Sequence, residues 1–276
     1  YRRPLAPRLA RTRGVGRGTA QAVQAQGDQA AVTARDTRKL EDLAAEYPDR
    51  VLPLSLEVTE PESVDRAVRQ VLDRFGTIDV LVNNAGHGYR SSVEEGEDAG
   101  IQDVFAANFF GPVRLIRTVL PHMRAKKTGA IVNVSSIAAV KAGVGSGYYA
   151  ASKAALEMVS EALYKEVTPL GIKVMIVEPG AFRTRFFDDS MKGTAVKIPD
   201  YADTAGKRRK ENIVNNHDQP GDPEKGGRMI VEAIGKDAYP RRLLLGSDAV
   251  RVVSSALNKR TEEVNVWKEV SKQSDF

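Results

Sequence analysis

The chain has 276 residues, 42% of them hydrophobic, and a formal net charge of +5 at pH 7. That length can bury one substantial core and allows one or two domains. It has no uninterrupted apolar run long enough to span a bilayer, so no membrane span is expected. The absence of cysteine excludes disulfides, thiolate metal sites and cysteine nucleophiles, and it fits a reducing, cytoplasmic location.

The charge is unevenly placed. Residues 1–17 hold six arginines and no acid, and removing those six charges from +5 leaves −1 for the remainder. The main body is therefore not expected to bind nucleic acid. An arginine-rich, acid-free start also has the composition of a transit peptide, although the fold needs the same stretch. His87, His122 and His217 are scattered without metal-ligand spacing, and no metal site is expected.

Taken in chain order, residues 29–34 read as a strand, followed by a polar helix through Glu46 and a second strand over 51–56. Val64, Ala67, Val68, Val71, Leu72 and Phe75 recur at helical spacing and predict an amphipathic helix. Thr59, with Glu62 three residues on, has the spacing of a capping box at its start. Further strands are expected over 78–82, 130–134, 172–177 and 243–245, and helices over about 98–125, 148–167 and 248–270. Strands alternating with helices imply right-handed crossovers. The expected fold class is α/β: a single-domain doubly wound parallel sheet of Rossmann type, with helices on both faces, spanning 1–276. Ligands in such sheets sit beyond the carboxyl ends of the strands, where Asn83–Gly86 and Ser135–Ser136 fall. Residues 188–223 break the pattern with glycines, prolines and charges, and are a candidate lid over a substrate pocket. Phe182, Phe186 and Phe187 lead into this segment and could line an apolar pocket.

Tyr149 and Lys153 stand at i and i+4 on one helix face. An ammonium beside a phenol favours the phenolate, so the tyrosine is expected to have a lowered pKa and to exchange a proton with a carbonyl or alcohol oxygen. The pair alone carries little information. Its setting carries more: a strand over 129–136 ends in Ser136, and a glycine-rich loop over 141–147 returns the chain to the helix that bears Tyr149.

With these residues the chain resembles the short-chain dehydrogenase/reductase family. Asn83-Asn84-Ala85-Gly86 is similar to its N-N-A-G motif, and Asn108, Ser136, Tyr149 and Lys153 match its catalytic tetrad in order and approximate spacing. Pro179-Gly180 is similar to its P-G turn, Thr184 falls where the family often contacts the nicotinamide amide, and Glu57 falls where an aspartate usually meets adenine. The resemblance implies Tyr149 as general acid/base, Lys153 tuning it and holding the cofactor ribose, Ser136 on the substrate oxygen, and Asn108 holding a water that relays protons. It implies a cofactor site built from Arg13, Gly14, Gly16, Arg35, Glu57, Asn84, Ala85, Gly86, Tyr149, Lys153, Pro179, Gly180 and Thr184. Family NAD enzymes usually carry an acid at the end of the second strand. Here Ala34 is followed by Arg35, whose guanidinium suits a 2′-phosphate. NADP is therefore favoured, while Asp36 keeps NAD open. The expected substrate is a small, fairly apolar carbonyl or secondary alcohol, and the resemblance implies a homodimer or homotetramer.

The N-terminus departs from the family. Leu9 and Ala10 replace the threonine and first glycine of its T-G-x-x-x-G-x-G loop, leaving only Gly14 and Gly16, and Gly18 does not complete G-x-G-x-x-G. The residues that would have to form the central strand, Arg2–Arg8, include Pro4 and Pro7, which argue against a strand. Two accounts fit: a damaged cofactor loop, or a stretch that is not the natural sequence. The intact catalytic half favours the second. The competing function is a non-catalytic dinucleotide-binding or scaffold protein; a dehydratase or epimerase on the same fold is a third.

Overall fold

The computed structural model describes residues 8–11, 14–214 and 218–275. In chain order its elements are β1 (Arg8–Arg11), α1 (Val15–Ala25), β2 (Ala30–Ala34), α2 (Glu41–Glu46), β3 (Val51–Ser55), α3 (Pro61–Phe75), β4 (Val80–Asn83), β5 (Gly88–Arg90), α4 (Asp98–Phe105), α5 (Gly111–Lys126), β6 (Gly129–Val134), α6 (Gly147–Val167), β7 (Ile172–Pro179), α7 (Phe186–Asp189), β8 (Met191–Gly193), α8 (Lys207–Val214), α9 (Pro223–Gly235), β9 (Arg242–Leu245) and α10 (Ser247–Ser271). Seven strands make one parallel sheet in the order β3-β2-β1-β4-β6-β7-β9. The chain winds outward from β1 in one direction, then crosses to β4 and winds in the other. The reversal lies between β1 and β4, where a crevice forms at the carboxyl edge.

Alternation along the strands divides the core between the two faces. Leu81, Ile131 and Val174 pack with Val64, Val68 and Val71 of α3, Leu115 and Val119 of α5 and Leu163 of α6. On the opposite face, Val82, Val132 and Val177 pack against Val15 of α1 and Ile230 and Ile234 of α9. Helices α1 and α9 cross closely. A Cβ on Gly18 would come 2.2 Å from Pro223 O, and one on Gly227 would come 2.1 Å from Gly18 C. Gly18, which fits no phosphate-loop pattern, is thus a packing glycine.

Three local expectations need correction. The central strand is Arg8–Arg11, so Leu9 and Ala10 belong to β1 rather than to the turn after it; Pro4 and Pro7 lie outside the described residues. The Thr59 capping box does not form. Pro61 takes the first helical position, which its fixed φ and missing N–H suit, the cap falls on Glu60, and Thr59 instead donates to Glu57 Oε1 at 3.0 Å. The helix expected over 98–125 is interrupted by a π-helical turn, Ala106–Phe110, between α4 and α5. Such turns concentrate at functional positions, and this one contains Asn108.

Residues 188–223 are fastened to the chain after β4. Strand β8 pairs in parallel with β5, setting Gly88 opposite Met191 and Arg90 opposite Gly193. Glu97 accepts from Thr194 Oγ1 (2.9 Å) and Ala195 N (2.8 Å), and Tyr201 donates to Glu94 at 2.6 Å. Among the described residues, no helix is long and apolar enough to cross a membrane, and no cluster of potential metal ligands occurs.

Candidate active site

A cavity of about 370 Å³ opens along the carboxyl edge of the sheet, walled by the segments following β1, β4, β6 and β7. Ser136, Tyr149 and Lys153 all line it. Strand β6 ends just before Ser135-Ser136, and α6 places Tyr149 in its first turn and Lys153 one turn on. The two elements bring Ser136 and Tyr149 onto one wall of the cavity, with Ser136 near enough to act on the phenol. Phe186 packs on Tyr149 with ring centroids 5.9 Å apart.

The phenol is not acidified in the way the sequence suggested. Burial raises its pKa, and the opposing influences are the Ser136 hydrogen bond and the charge of Arg90. Lys153 instead donates from Nζ to Val134 O at 2.9 Å. Burial lowers the lysine to about 8, while the nearby negative charge of Glu157 pulls it back up. A buried ammonium is costly and gives up its proton more readily than an exposed one.

Behind the lysine lies a polar network. Ser135 Oγ donates to Glu157 Oε1 at 2.6 Å, and Arg242 on β9 donates to Glu157 (2.5 Å), Glu178 (2.8 Å) and Glu161 (2.5 Å). Burial raises the Glu157 pKa, opposed by the Ser135 hydrogen bond. Asn83 and Asn133 tie β4 to β6 through a 2.8 Å side-chain bond, and Asn133 donates on to Ser160 of α6 at 2.8 Å.

Asn108 is fully buried. Its Oδ1 accepts from His87 N at 2.9 Å, and its Nδ2 donates to His87 O (2.9 Å) and Ser152 Oγ (3.0 Å). It does not line the cavity; it pins the chain after Gly86 to α6. A Cβ on Gly86 would come 2.8 Å from Asn108 Oδ1 and 3.3 Å from Lys153 Nζ, so the three groups meet at one point.

Of the cofactor candidates, Gly14, Asn84, Gly86, Tyr149, Lys153, Pro179, Gly180 and Thr184 share the cavity wall. Gly14 has φ +53°, which favours glycine, and a Cβ there would come 2.8 Å from Thr184 Cγ2. The start of α1 has no side-chain cap, which leaves backbone N–H groups for an anion. A narrow backbone cradle beside uncapped helix donors fits a dinucleotide. Arg13 lies outside the described residues. Gly16 is buried within α1 and Ala85 within the core; neither lines the cavity. Arg35 follows β2, its side chain 68% exposed and its Nε 3.9 Å from Glu57 Oε2. Asp36 accepts from Arg38 Nε (2.9 Å) and Nη2 (3.0 Å), and this guanidinium holds its carboxyl below the usual range.

Sequence reasoning missed several cavity residues, among them Arg90 and Arg208. Arg90 sits in a three-residue strand with no periodicity to reveal it, and Arg208 lies in the segment that carries no motif. Phe182 and Phe186 do line the cavity, as expected from the sequence; the Phe187 side chain lies outside the described residues.

Comparison with known proteins agrees with this geometry. The family model described as short chain dehydrogenase matches residues 9–194. The chain is 33% identical over 264 residues to oxidoreductase BOA17 of Botryotinia fuckeliana, covering 94% of this chain and 95% of that one. It is 36% identical over 235 residues to a 3-ketodihydrosphingosine reductase of Bacteroides thetaiotaomicron, covering 84% of each. The crystal structure of a short-chain dehydrogenase from Streptomyces avermitilis superimposes with a TM-score of 0.92 at 41% identity, over 99% of this chain and 100% of that one.

Proposed function

Since this chain belongs to the short-chain dehydrogenase/reductase family and is an oxidoreductase of that family, we propose that it interconverts a carbonyl and a secondary alcohol with NADP, using Tyr149 as general acid/base. The observation that carries this reading is the meeting of Ser136, Tyr149 and Lys153 on one cavity wall. Burial keeps the phenol protonated at neutral pH, the state needed to donate to a carbonyl oxygen. Ser136 and Tyr149 together hold that oxygen and stabilise the charge that develops on it. Phe182 and Phe186 line the same cavity and give it an apolar wall.

Gly14, Asn84, Gly86, Pro179, Gly180 and Thr184 would hold the cofactor along this wall, and Lys153 would reach its ribose. When bound, the nicotinamide supplies or accepts the hydride. Two features support NADP over NAD. Arg35 follows the second strand in the open, and Asp36 is engaged by Arg38, which competes with a ribose hydroxyl for its carboxylate. Residues 1–276 would form one domain in which 188–223 covers the substrate side. Three further expectations are carry-overs rather than readings of the site: a carbonyl reductase acting on small molecules, a homodimer or homotetramer, and a cytoplasmic location.

Cofactor titration combined with a ketone panel tests the reading. Turnover with NADPH is expected, and Tyr149→Phe should lower it by about 100-fold or more, the usual worth of general acid catalysis, while the cofactor dissociation constant changes little. Cofactor binding by the unaltered protein with no turnover of any ketone would instead support a non-catalytic dinucleotide-binding protein.

A further inference from the structure

The segment that leaves β7 forms one side of the cavity, where Pro179, Gly180, Ala181 and Thr184 all line it. Its far end meets the start of α1: a Cβ on Gly14 would come 2.8 Å from Thr184 Cγ2. The width of the cleft at that point therefore follows from where this segment lies. Strand β7 ends at Pro179 and α7 begins at Phe186, so the backbone between them must find its partners elsewhere. Gly180 N donates to Leu245 O of β9 at 2.9 Å. Ala181 O accepts from Gly221 N at 3.0 Å, and Arg183 N donates to Gly221 O at 2.8 Å. Ala181 N donates to a side chain instead, Asp248 Oδ2, at 2.7 Å.

Asp248 stands in the first turn of α10, where an acid ordinarily serves the N–H groups of its own helix. Here α10 starts without a side-chain cap, and the carboxylate turns to Ala181. Its Oδ1 is buried and has no hydrogen-bond partner among the described residues, an arrangement that costs stability. That oxygen lies against Gly180. A Cβ there would come 2.3 Å from Oδ1 and 2.4 Å from Oδ2. Gly180 is not among the described glycines of positive φ. Its backbone could therefore take a side chain, and the room occupied by the carboxylate is what excludes one. Asp248 itself does not line the cavity; it stands behind the wall.

Resting on the nicotinamide-dependent reading above, we propose that Asp248 is a positioning residue for the cofactor: its carboxylate fixes the Gly180–Ala181 backbone from behind and so sets how closely Thr184 approaches the start of α1. Without that acceptor the Ala181 N–H is left unmatched and the segment is free to move into the space behind it. The cofactor would then have to order the wall as it binds, which lowers affinity. Ser136, Tyr149 and Lys153 stand on β6 and α6 or between them, across from this segment. The effect therefore falls on cofactor binding more than on turnover once the cofactor is bound.

The test measures dissociation constants of NADPH and NADH by the fluorescence of the reduced cofactor. Asp248→Ala should raise the constant of the tighter cofactor by about tenfold or more, the worth of one hydrogen bond to a charged group. Its KM should rise in step while kcat at saturating cofactor holds, a split that general loss of packing would not give. Asp248→Asn keeps an acceptor and should restore most of the affinity. Should Asp248→Ala fail to fold, Asp248→Ser, too short to reach Ala181 N, is measured in its place with the same expectation. A second measurement reads the contact without cofactor. Gly180→Ala should lower the thermal transition strongly in the unaltered protein and much less beside Asp248→Ala, which makes room for the methyl, so the two losses should not add. An unchanged dissociation constant, a loss of kcat without a change in affinity, or strictly additive losses overturns the positioning role and leaves the carbonyl reading standing. Weakened binding with rescue by asparagine, in a protein that reduces no ketone, supports the positioning role and refutes the carbonyl reading instead. No binding of either cofactor by the unaltered protein overturns both.

Discussion

Arg209 and Glu95 form a two-point ion pair, Nη1 to Oε2 at 2.9 Å and Nη2 to Oε1 at 3.2 Å, around a carboxylate with no exposed surface. The same carboxylate accepts from Ser92 N and Ile198 N, both at 3.0 Å. One acid therefore joins the loop after β5 to two parts of the 188–223 segment. Arg209→Ala leaves that charge buried without its cation, and should cost about 3 kcal/mol, the lower end for a broken buried pair, read as a shifted urea midpoint. The Arg209 hydrogen bond holds the Glu95 carboxyl far below its usual range. A depressed carboxylate contributes stability above its unfolded pKa and loses it as pH falls below that value. The difference between the variant and the unaltered protein should therefore shrink in acid.

Lys153 should set an alkaline limit on activity. Its ammonium, lowered to about 8 by burial, loses its proton as pH rises through that value, and turnover in the reducing direction should fall with it. Glu157→Gln removes the negative charge that supports the ammonium, so the alkaline limb should move to lower pH in a kcat profile. The same lysine has a sign for stability: between about 8 and its ordinary 10.5 the unfolded chain holds the proton more tightly, so its contribution rises with pH across that window. A limb that stays in place in Glu157→Gln contradicts the proposed coupling.

Arg35→Asp should move cofactor preference from NADP toward NAD. A lost charge-assisted contact to a 2′-phosphate is worth about ten- to a hundredfold in affinity, and the new carboxylate repels that phosphate. The ratio of the two dissociation constants, measured by protein fluorescence, gives the answer; an unchanged ratio means that Arg35 does not meet the phosphate.

Gly227→Ala should destabilise the fold without touching the cavity. Its methyl would overlap the Gly18 backbone at the α1–α9 crossing, and overpacking of this kind costs about 1–3 kcal/mol. Thermal unfolding would show it, and an unchanged transition would mean that the two helices separate freely.

The sheet was legible because its strands are short apolar runs between helices of strong period, as in Val64 to Phe75, and local pattern decides such elements. Ser136, Tyr149 and Lys153 were legible because a strand end and one helix face carry them. The central strand was misread because the family frame assigned Leu9 and Ala10 to a turn, whereas pairing with β2 and β4 on both sides keeps them in the sheet. The capping box failed for a local reason: Pro61 fixed the helix start two residues beyond Thr59.

The amino-acid order by itself determined the α/β winding, the edge of the sheet at which the cavity opens, and the types of residue proposed to handle the proton. It could do so because periodicity and short-range spacing are written along the chain. Folding in three dimensions decided which cation acts on the Tyr149 phenol, that burial raises rather than lowers its pKa, and that Arg90 and Arg208 converge although they stand on separate elements far apart in sequence. Charge interactions and desolvation depend on distance through space and on the surrounding dielectric, and neither quantity has a value until the chain has packed.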